Sequence, residues 1–404
     1  MRVPLSKPEI TELDIRSVVD ALRSNQLSLG PRIDEFERNF AAYVGTRHAI
    51  AVSSGTAALH LCIRALGIGT NDEVITSSFS FVASANCALF EGALPVFVDI
   101  DPMSLNLDPV CVRRFIEEEC EWHSGPEVLV DRRNGRRVKA ILPVHVFGLP
   151  CDMDPILKLA QEYRLVVIED ACEALGANYH GKGVGTFGSM ATFAFYPNKQ
   201  MTTGEGGMIV TANEDLARLC RSMRNQGRDE GSCWLEHDRL GYNYRLSDVH
   251  CALGISQLRR LDEMLTAREN VASAYSRLLS SENRLLLPES PFGCRRSWFV
   301  YVLRVSSLDH RAIKEVRDAV ILELRRRGIG SQAYFPAIHL QPYMRQYEFV
   351  VPRPLPETEA ASNSCLALPM FAQASLAEIE TVCKNLSEAL DCSASPVSFP
   401  KVAV

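Results

Sequence analysis

The 404-residue chain predicts an α/β domain with a mostly parallel, buried central sheet between helices, followed by a smaller C-terminal α+β domain. Three observations carry this. From about residue 48 to 210 short β-rich runs alternate with helical stretches, the rhythm of strand–helix units whose sheet is covered on both faces. The length exceeds what one hydrophobic core accommodates. A long helical pattern from Ser247 to about Leu279, with Leu253, Leu258, Leu261 and Leu265 at helical spacing, then reads as the link between two domains, with the boundary near Asn283. The division is residues 1–282, with an N-terminal arm and the linking helix, and residues 283–392, with a loosely ordered tail over 393–404.

In chain order, His48-Ala-Ile-Ala-Val-Ser53 reads as a strand followed by a helix beginning near Thr56. Glu73-Val-Ile-Thr76 is followed by a helix through Ala83 to Phe90, and Pro95-Val-Phe-Val98 by one near Pro109. Ala140-Ile-Leu-Pro-Val-His145 leads to a helix from Asp152 to Tyr163, and the run Leu165-Val-Val-Ile168 ends at Glu169-Asp170. The segment from Glu117 to Lys139 breaks the rhythm with dense mixed charge around an Asn-Gly turn. It reads as a surface excursion of hairpin type, its arginines on a solvated face. The C-terminal part offers a β run at Trp298-Phe-Val-Tyr-Val-Leu303, a helix from about His310 to Arg327 stopped by Gly328, and a short strand near Ile329. A helix around Glu357 to Asn363 and a last one from Ser375 to Leu390 complete it.

A net charge of −6 gives no electrostatic reason to bind nucleic acid, and no basic stripe with interleaved aromatics occurs. The N-terminus has no apolar core of signal-peptide length, and no uninterrupted apolar run is long enough to span a bilayer. A cytoplasmic protein is the expectation. The thirteen cysteines are scattered with no CxxC pair, so they read as reduced apolar fillers, and no metal site is expected.

Chemistry is expected at Lys199. The apolar run from Ala191 enters the polar, glycine-rich turn Thr202-Thr-Gly-Glu-Gly-Gly207 and presents this one lysine at its end. A partly desolvated lysine loses its proton more readily than one in water and can form a Schiff base with an aldehyde. Ser53-Ser-Gly-Thr-Ala-Ala58 lies between a strand and a helix, where Gly55 lets the backbone approach a phosphate and Thr56 adds a hydroxyl. A plain helix N-cap is the other reading. Asp170, at a strand's carboxyl end, is costly to bury unless paired with a cation such as a protonated pyridine nitrogen; a structural helix cap is an equal alternative. Phe81 offers a flat face to an aromatic ring, or simply belongs to the core. Phosphate, aldehyde and pyridine together describe pyridoxal phosphate, and the glycine-rich turn supplies flexible backbone beside the Schiff base.

These pieces occur in the order found in fold type I pyridoxal phosphate enzymes. The chain resembles the DegT/DnrJ/StrS-type sugar aminotransferases from Leu5-Ser-Lys-Pro-Glu-Ile10 to Leu366-Ala-Leu-Pro-Met370. The motifs that carry the likeness are Ser53-Ser-Gly-Thr-Ala-Ala-Leu59, Pro143-Val-His-Val-Phe-Gly148, Ile168-Glu-Asp-Ala-Cys-Glu-Ala-Leu-Gly176, the segment from Phe195 to Gly207, and Gly241-Tyr-Asn-Tyr-Arg-Leu-Ser247. The resemblance implies that Lys199 carries the Schiff base, Asp170 pairs with the pyridine nitrogen, Phe81 stacks on the ring, and Gly55 and Thr56 hold the phosphate. It places Glu173 near the cofactor, where many relatives have Gln or His. It implies an obligate homodimer in which Asn243 reaches the partner's phosphate. Tyr334 and His339 are substrate candidates, each with a structural alternative; Arg245 is another, contacting substrate across the dimer, or else it forms an intrachain ion pair.

The reaction implied is transfer of an amino group from an amino acid, L-glutamate, to a keto-sugar on a nucleotide diphosphate, for aminosugar, polysaccharide or glycosylated natural-product biosynthesis. A sugar dehydratase of the same family, in which the lysine is typically replaced by histidine, and a non-enzymatic regulator on the same scaffold are the alternatives. Relatives commonly have a serine where this chain has Ala194, so weaker cofactor retention is expected.

Overall fold

The computed structural model describes residues 3–125, 127–229, 231, 233–306 and 313–394. The tail expected over 393–404 lies almost wholly outside them, as does the start of the helix expected from His310. The strands in chain order are β1 (His48–Val52), β2 (Asp72–Ser77), β3 (Leu94–Val98), β4 (Cys120–His123), β5 (Val128–Asp131), β6 (Arg137–Leu142), β7 (Val166–Asp170), β8 (Asn178–Tyr179), β9 (Lys182–Gly183), β10 (Met190–Ala194) and β11 (Gly207–Thr211). They continue with β12 (Leu285–Leu286), β13 (Cys294–Arg295), β14 (Tyr301–Val305), β15 (Gln332–Ala333) and β16 (Cys365–Leu368).

Among the described residues the large sheet is nine-stranded, with the main order β1-β11-β10-β7-β6-β2-β3 and the pair β4-β5 off that path. Along that order every neighbouring pair from β10 to β3 is parallel, and β11 alone runs antiparallel to both of its neighbours. Every residue of β2 and of β11 is buried, as in a sheet covered on both faces. The parallel strands deliver their carboxyl ends to one edge of the sheet, where ligands of such folds collect. Two neighbouring strands therefore place Asp170, the last residue of β7, beside Thr192 of β10.

Helices Glu12–Arg23 and Pro31–Val44 occupy what the sequence reading left as an arm. The first is capped by Thr11 and Asp14 reciprocally, and the second opens on Pro31 and ends at Gly45 with φ +83, a left-handed cap that glycine adopts without strain. The predicted linking helix is two helices, Asp248–Leu258 and Leu261–Leu279. At the break Arg260 has φ −118 and ψ 17, and its guanidinium reaches the N-terminal segment, donating to Glu9 O at 2.7 Å and Asp14 Oδ2 at 3.0 Å. Gly254 in the first of them lets Phe36 approach, since a Cβ there would stand 2.6 Å from the ring.

The C-terminal sheet is antiparallel, order β12-β14-β16-β15, and is backed by helices Ile313–Arg326, Pro356–Ser364 and Leu376–Ala394. The β run expected from Trp298 pairs only from Tyr301, and the strand expected near Ile329 is a single bridge to Val3, with the ladder resuming at Gln332. Strands β11 and β16 and the helix Glu214–Arg224 were not read from the sequence.

The charged excursion is a pair of hairpins, β4 on β5 and β5 on the start of β6, with Gly135 at φ +73 in the second turn. Its arginines do not all lie on a solvated face. Arg133 holds the buried Asp131 through Nε at 3.0 Å, and Arg137 pairs with the buried Asp72 at 2.7 Å. Glu73 is fully buried beneath this turn and accepts from Asn134 Nδ2 at 2.6 Å. Burial above all, and then the Asp131 charge, push its carboxyl up to about 8 from the ordinary 4.5. Between those two values the folded chain keeps a proton that the unfolded chain has released, so stability falls as pH rises through that window. Glu73→Gln keeps the acceptor for Asn134 and is expected to flatten the fall, leaving the variant more stable than the wild type by a few kcal/mol above pH ~8. Urea unfolding at a series of pH values measures it, and parallel curves for the two proteins contradict it.

Among the described residues no helix is long and apolar enough to cross a membrane, no cluster of His, Cys, Asp or Glu could hold a metal ion, and the cysteines are unpaired.

Candidate active site

A cavity of about 530 Å³ opens at the carboxyl ends of β7 and β10. Ser54, Gly55, Thr56, Phe81, Asp170, Glu173, Lys199 and Tyr334 all line it. Five separate stretches of chain thus meet in one place.

The helix Gly55–Ala65 begins at its wall. Ser54 caps it by accepting from Ala57 N–H at 3.0 Å, and the N–H groups of Gly55 and Thr56 precede the first intrahelical bonds. A Cβ at position 55 would stand 2.8 Å from the Ala194 Cβ and 2.9 Å from Cys172 Sγ, so glycine is required for β10 to pass this close. A Cβ at Gly207 would meet Ser54 O at 2.4 Å, so the other side of the turn is equally tight.

Asp170 is 6% exposed, and its Oδ1 accepts from Cys172 N–H at 3.1 Å. Burial pushes its carboxyl up; the Cys172 bonds and the Lys199 charge pull the other way. A second cation in the cavity would favour the ionised form. Lys199 is enclosed, its side chain 14% exposed. Its Nζ lies 3.4 Å from Glu173 Oε1 and 4.2 Å from the centre of the Phe299 ring. Glu173 uses its other oxygen to accept from Phe147 N–H at 2.9 Å, and its carboxyl too is raised by burial, which Lys199 opposes. Phe81 is 60% exposed, an uncovered aromatic face at the cavity wall. Burial, and to a lesser degree the Glu173 charge, push the Tyr334 hydroxyl up to about 12, so it is a donor at neutral pH.

The remaining candidates stand apart from this cavity. His339 is turned elsewhere: its Nδ1 is 2.7 Å from Ser78 Oγ and its Nε2 3.5 Å from Glu359, the geometry of the structural alternative. Arg245 donates to Asn225 Oδ1 at 3.0 Å and forms no ion pair among the described residues. Asn243 is exposed; its segment runs beside the end of β1, where Ser53 N–H donates to Tyr244 O at 2.8 Å. The glycine-rich turn is pinned and not loose, with Thr202 Oγ1 donating to Phe195 O at 2.9 Å and Thr203 Oγ1 to Glu205 O at 2.7 Å. Sequence reasoning missed Tyr196, Asn198, Glu205 and Phe299 on the cavity wall. The first three lie inside the quoted lysine motif; nothing in the run around Trp298 marks Phe299.

An enclosed lysine, a buried carboxylate in need of a cation, and a glycine-bounded helix N-terminus suit an aldehyde, a protonated pyridine and a phosphate respectively, so the residues present fit pyridoxal phosphate. With the parallel sheet they define a pyridoxal-phosphate-dependent aminotransferase of fold type I.

Residues 8–387 match the model of the DegT/DnrJ/EryC1/StrS aminotransferase family, and the chain belongs to that family. GDP-perosamine synthase of Caulobacter vibrioides is 38% identical over 392 residues, covering 96% of this chain and 98% of that protein. DesV of S. venezuelae, solved in complex with a ketimine intermediate, is 31% identical with a TM-score of 0.83 over 96% of this chain and 99% of that one. The proposed sugar aminotransferase Spr1654 of Streptococcus pneumoniae, solved in its PLP form, is 25% identical with a TM-score of 0.87 over 98% of this chain and 100% of that one.

Proposed function

We propose that the protein transfers the amino group of L-glutamate to the keto carbon of a sugar carried on a nucleotide diphosphate. The observation that carries this reading is the meeting of Lys199, Asp170 and the Gly55 helix N-terminus in one cavity. The acceptor class is supported by the likeness to GDP-perosamine synthase, which is named for a nucleotide-linked aminosugar product.

Bound pyridoxal phosphate supplies an electron sink for the carbanion left when an amino acid loses its α-proton. With the cofactor bound, Lys199 Nζ would take that proton and later give it back, and would do the reverse for the sugar, acting as base and acid in turn. The Asp170 carboxylate holds the proton on the ring nitrogen. The N–H groups of Gly55 and Thr56, at the positive end of the helix dipole, bind the phosphate, and Phe81 covers the ring face. Glu173 holds Nζ in place through the contact at 3.4 Å. Tyr334 donates to the substrate. In this reading the enzyme works as a homodimer in which Asn243, exposed in the single chain, reaches the phosphate bound by the partner.

A panel of keto-sugar nucleotides, incubated with the cofactor-loaded protein and glutamate and read by mass, tests the proposal. One acceptor is expected to gain an amine as 2-oxoglutarate appears. Bleaching of the cofactor band by glutamate with no sugar aminated would overturn the acceptor class; no response to glutamate would overturn the donor.

A further inference from the structure

Lys199 is held where it is by more than its own side chain. Its carbonyl oxygen accepts from Arg268 Nη2 at 3.0 Å, and the carbonyl of Phe299, whose ring lies beneath Nζ, accepts from Nη1 of the same guanidinium at 3.3 Å. A second link runs alongside: Gln200 Nε2 donates to Glu173 O at 2.6 Å and to Ser297 Oγ at 3.0 Å. The lysine, the carboxylate beside it and the ring below it come from three remote stretches of chain, and these two side chains fasten them together.

Arg268 is 4% exposed on the helix Leu261–Leu279. Among the described residues no carboxylate lies within ion-pair distance of it, and its Nε has no hydrogen-bond partner. Burial lowers its pKa to about 10, with only Glu9 acting against that. A buried cation in this state costs free energy, and an apolar side chain of similar length would serve the core as well or better. What the guanidinium adds is geometry: a rigid fork that addresses two carbonyls at once, as no other side chain does.

We infer that Arg268 is the positioning residue for Lys199, fixing the lysine backbone against that of Phe299 so that Nζ is held over the ring and beside Glu173. The inference rests on the assignment of the cofactor to Lys199. It predicts a division of effects. Loosening the fork misplaces the amine and slows every step that uses it, whereas substrate recognition, which involves other residues, is little changed.

The test uses the full-length apoprotein mixed with pyridoxal phosphate. Capture is followed by the Schiff-base absorbance, the pH midpoint of that band is titrated, and borohydride reduction with peptide mapping locates the label. In Arg268→Met the capture rate is expected to fall about tenfold or more, given how steeply reactivity depends on placement. The pH midpoint should shift and kcat should drop, with KM for glutamate near the wild-type value and the circular dichroism unchanged. Arg268→Lys, which keeps the charge but reaches one carbonyl at a time, should recover only part of the rate; it also decides the question if the methionine variant does not fold. Wild-type label at Lys199 with unchanged capture in a folded variant overturns the inference and leaves the lysine assignment standing. Wild-type label at another amine overturns both.

Discussion

Lys199→Ala is expected to abolish amino transfer to every sugar nucleotide while the protein folds normally. The structure supports both halves of that statement. Truncation leaves the backbone contacts of position 199 in place, including the carbonyl bond from Arg268 and the N–H bond to Tyr196 O at 2.9 Å. Glu173 keeps its bond from Phe147 N–H and, already raised by burial, can become neutral when the lysine charge is gone. What disappears is the only amine lining the cavity among the described residues. Proton transfer by a placed side chain contributes about 10²–10⁴-fold, and on the proposed mechanism each half-reaction loses at least that much, the slower one setting turnover. Single-turnover mixing with glutamate, followed by absorbance, measures the first half, and mass analysis of the sugar the second. Substantial residual turnover would show that another group carries the proton.

Asp170→Asn should be the next most damaging change, with the cofactor still bound. The amide oxygen can accept from Cys172 N–H as the carboxylate does, and the strand pairing of residue 170 with Thr192 is a backbone matter. The phosphate turn and Lys199 are untouched, so binding persists. On the proposed assignment, the charge that would face the ring nitrogen is lost, and with it the protonated state that would make the ring an electron sink. A rate loss on the order of a hundredfold or more is expected, comparable to removing one preorganised charge-stabilising group from an active site. Cofactor content by absorbance and kcat for transfer, measured on the same preparation, separate the two effects. Near-normal turnover would reduce Asp170 to a helix cap.

The cavity was legible to the extent that its residues sit where a strand meets a turn. Asp170 at the end of an apolar run, Gly55 and Thr56 between strand and helix, and Lys199 after β10 are positions fixed by local chain direction, and all of them line the cavity. His339 and Arg245 do not line the cavity of the single chain. Where such side chains point depends on contacts between distant parts of the chain, here with Ser78 and Asn225. The broken linking helix was not legible either: its leucine spacing is continuous, and the break falls at Arg260, whose side chain meets Glu9 and Asp14 more than two hundred residues away. The hairpin expected around Asn134-Gly135 is present, but its charges are partly buried because Asp131 and Glu73 lie beneath it.

By itself the sequence determined the alternation of strand and helix, the parallel sheet and the order of the motifs, because apolar periodicity and turn chemistry act over a few residues. Only the tertiary structure decided that Phe299 lies under Lys199 and that one guanidinium from a distant helix ties their two backbones. Such contacts are selected by packing between segments remote in the chain, and a linear pattern of residue types carries no record of which side chains will face one another.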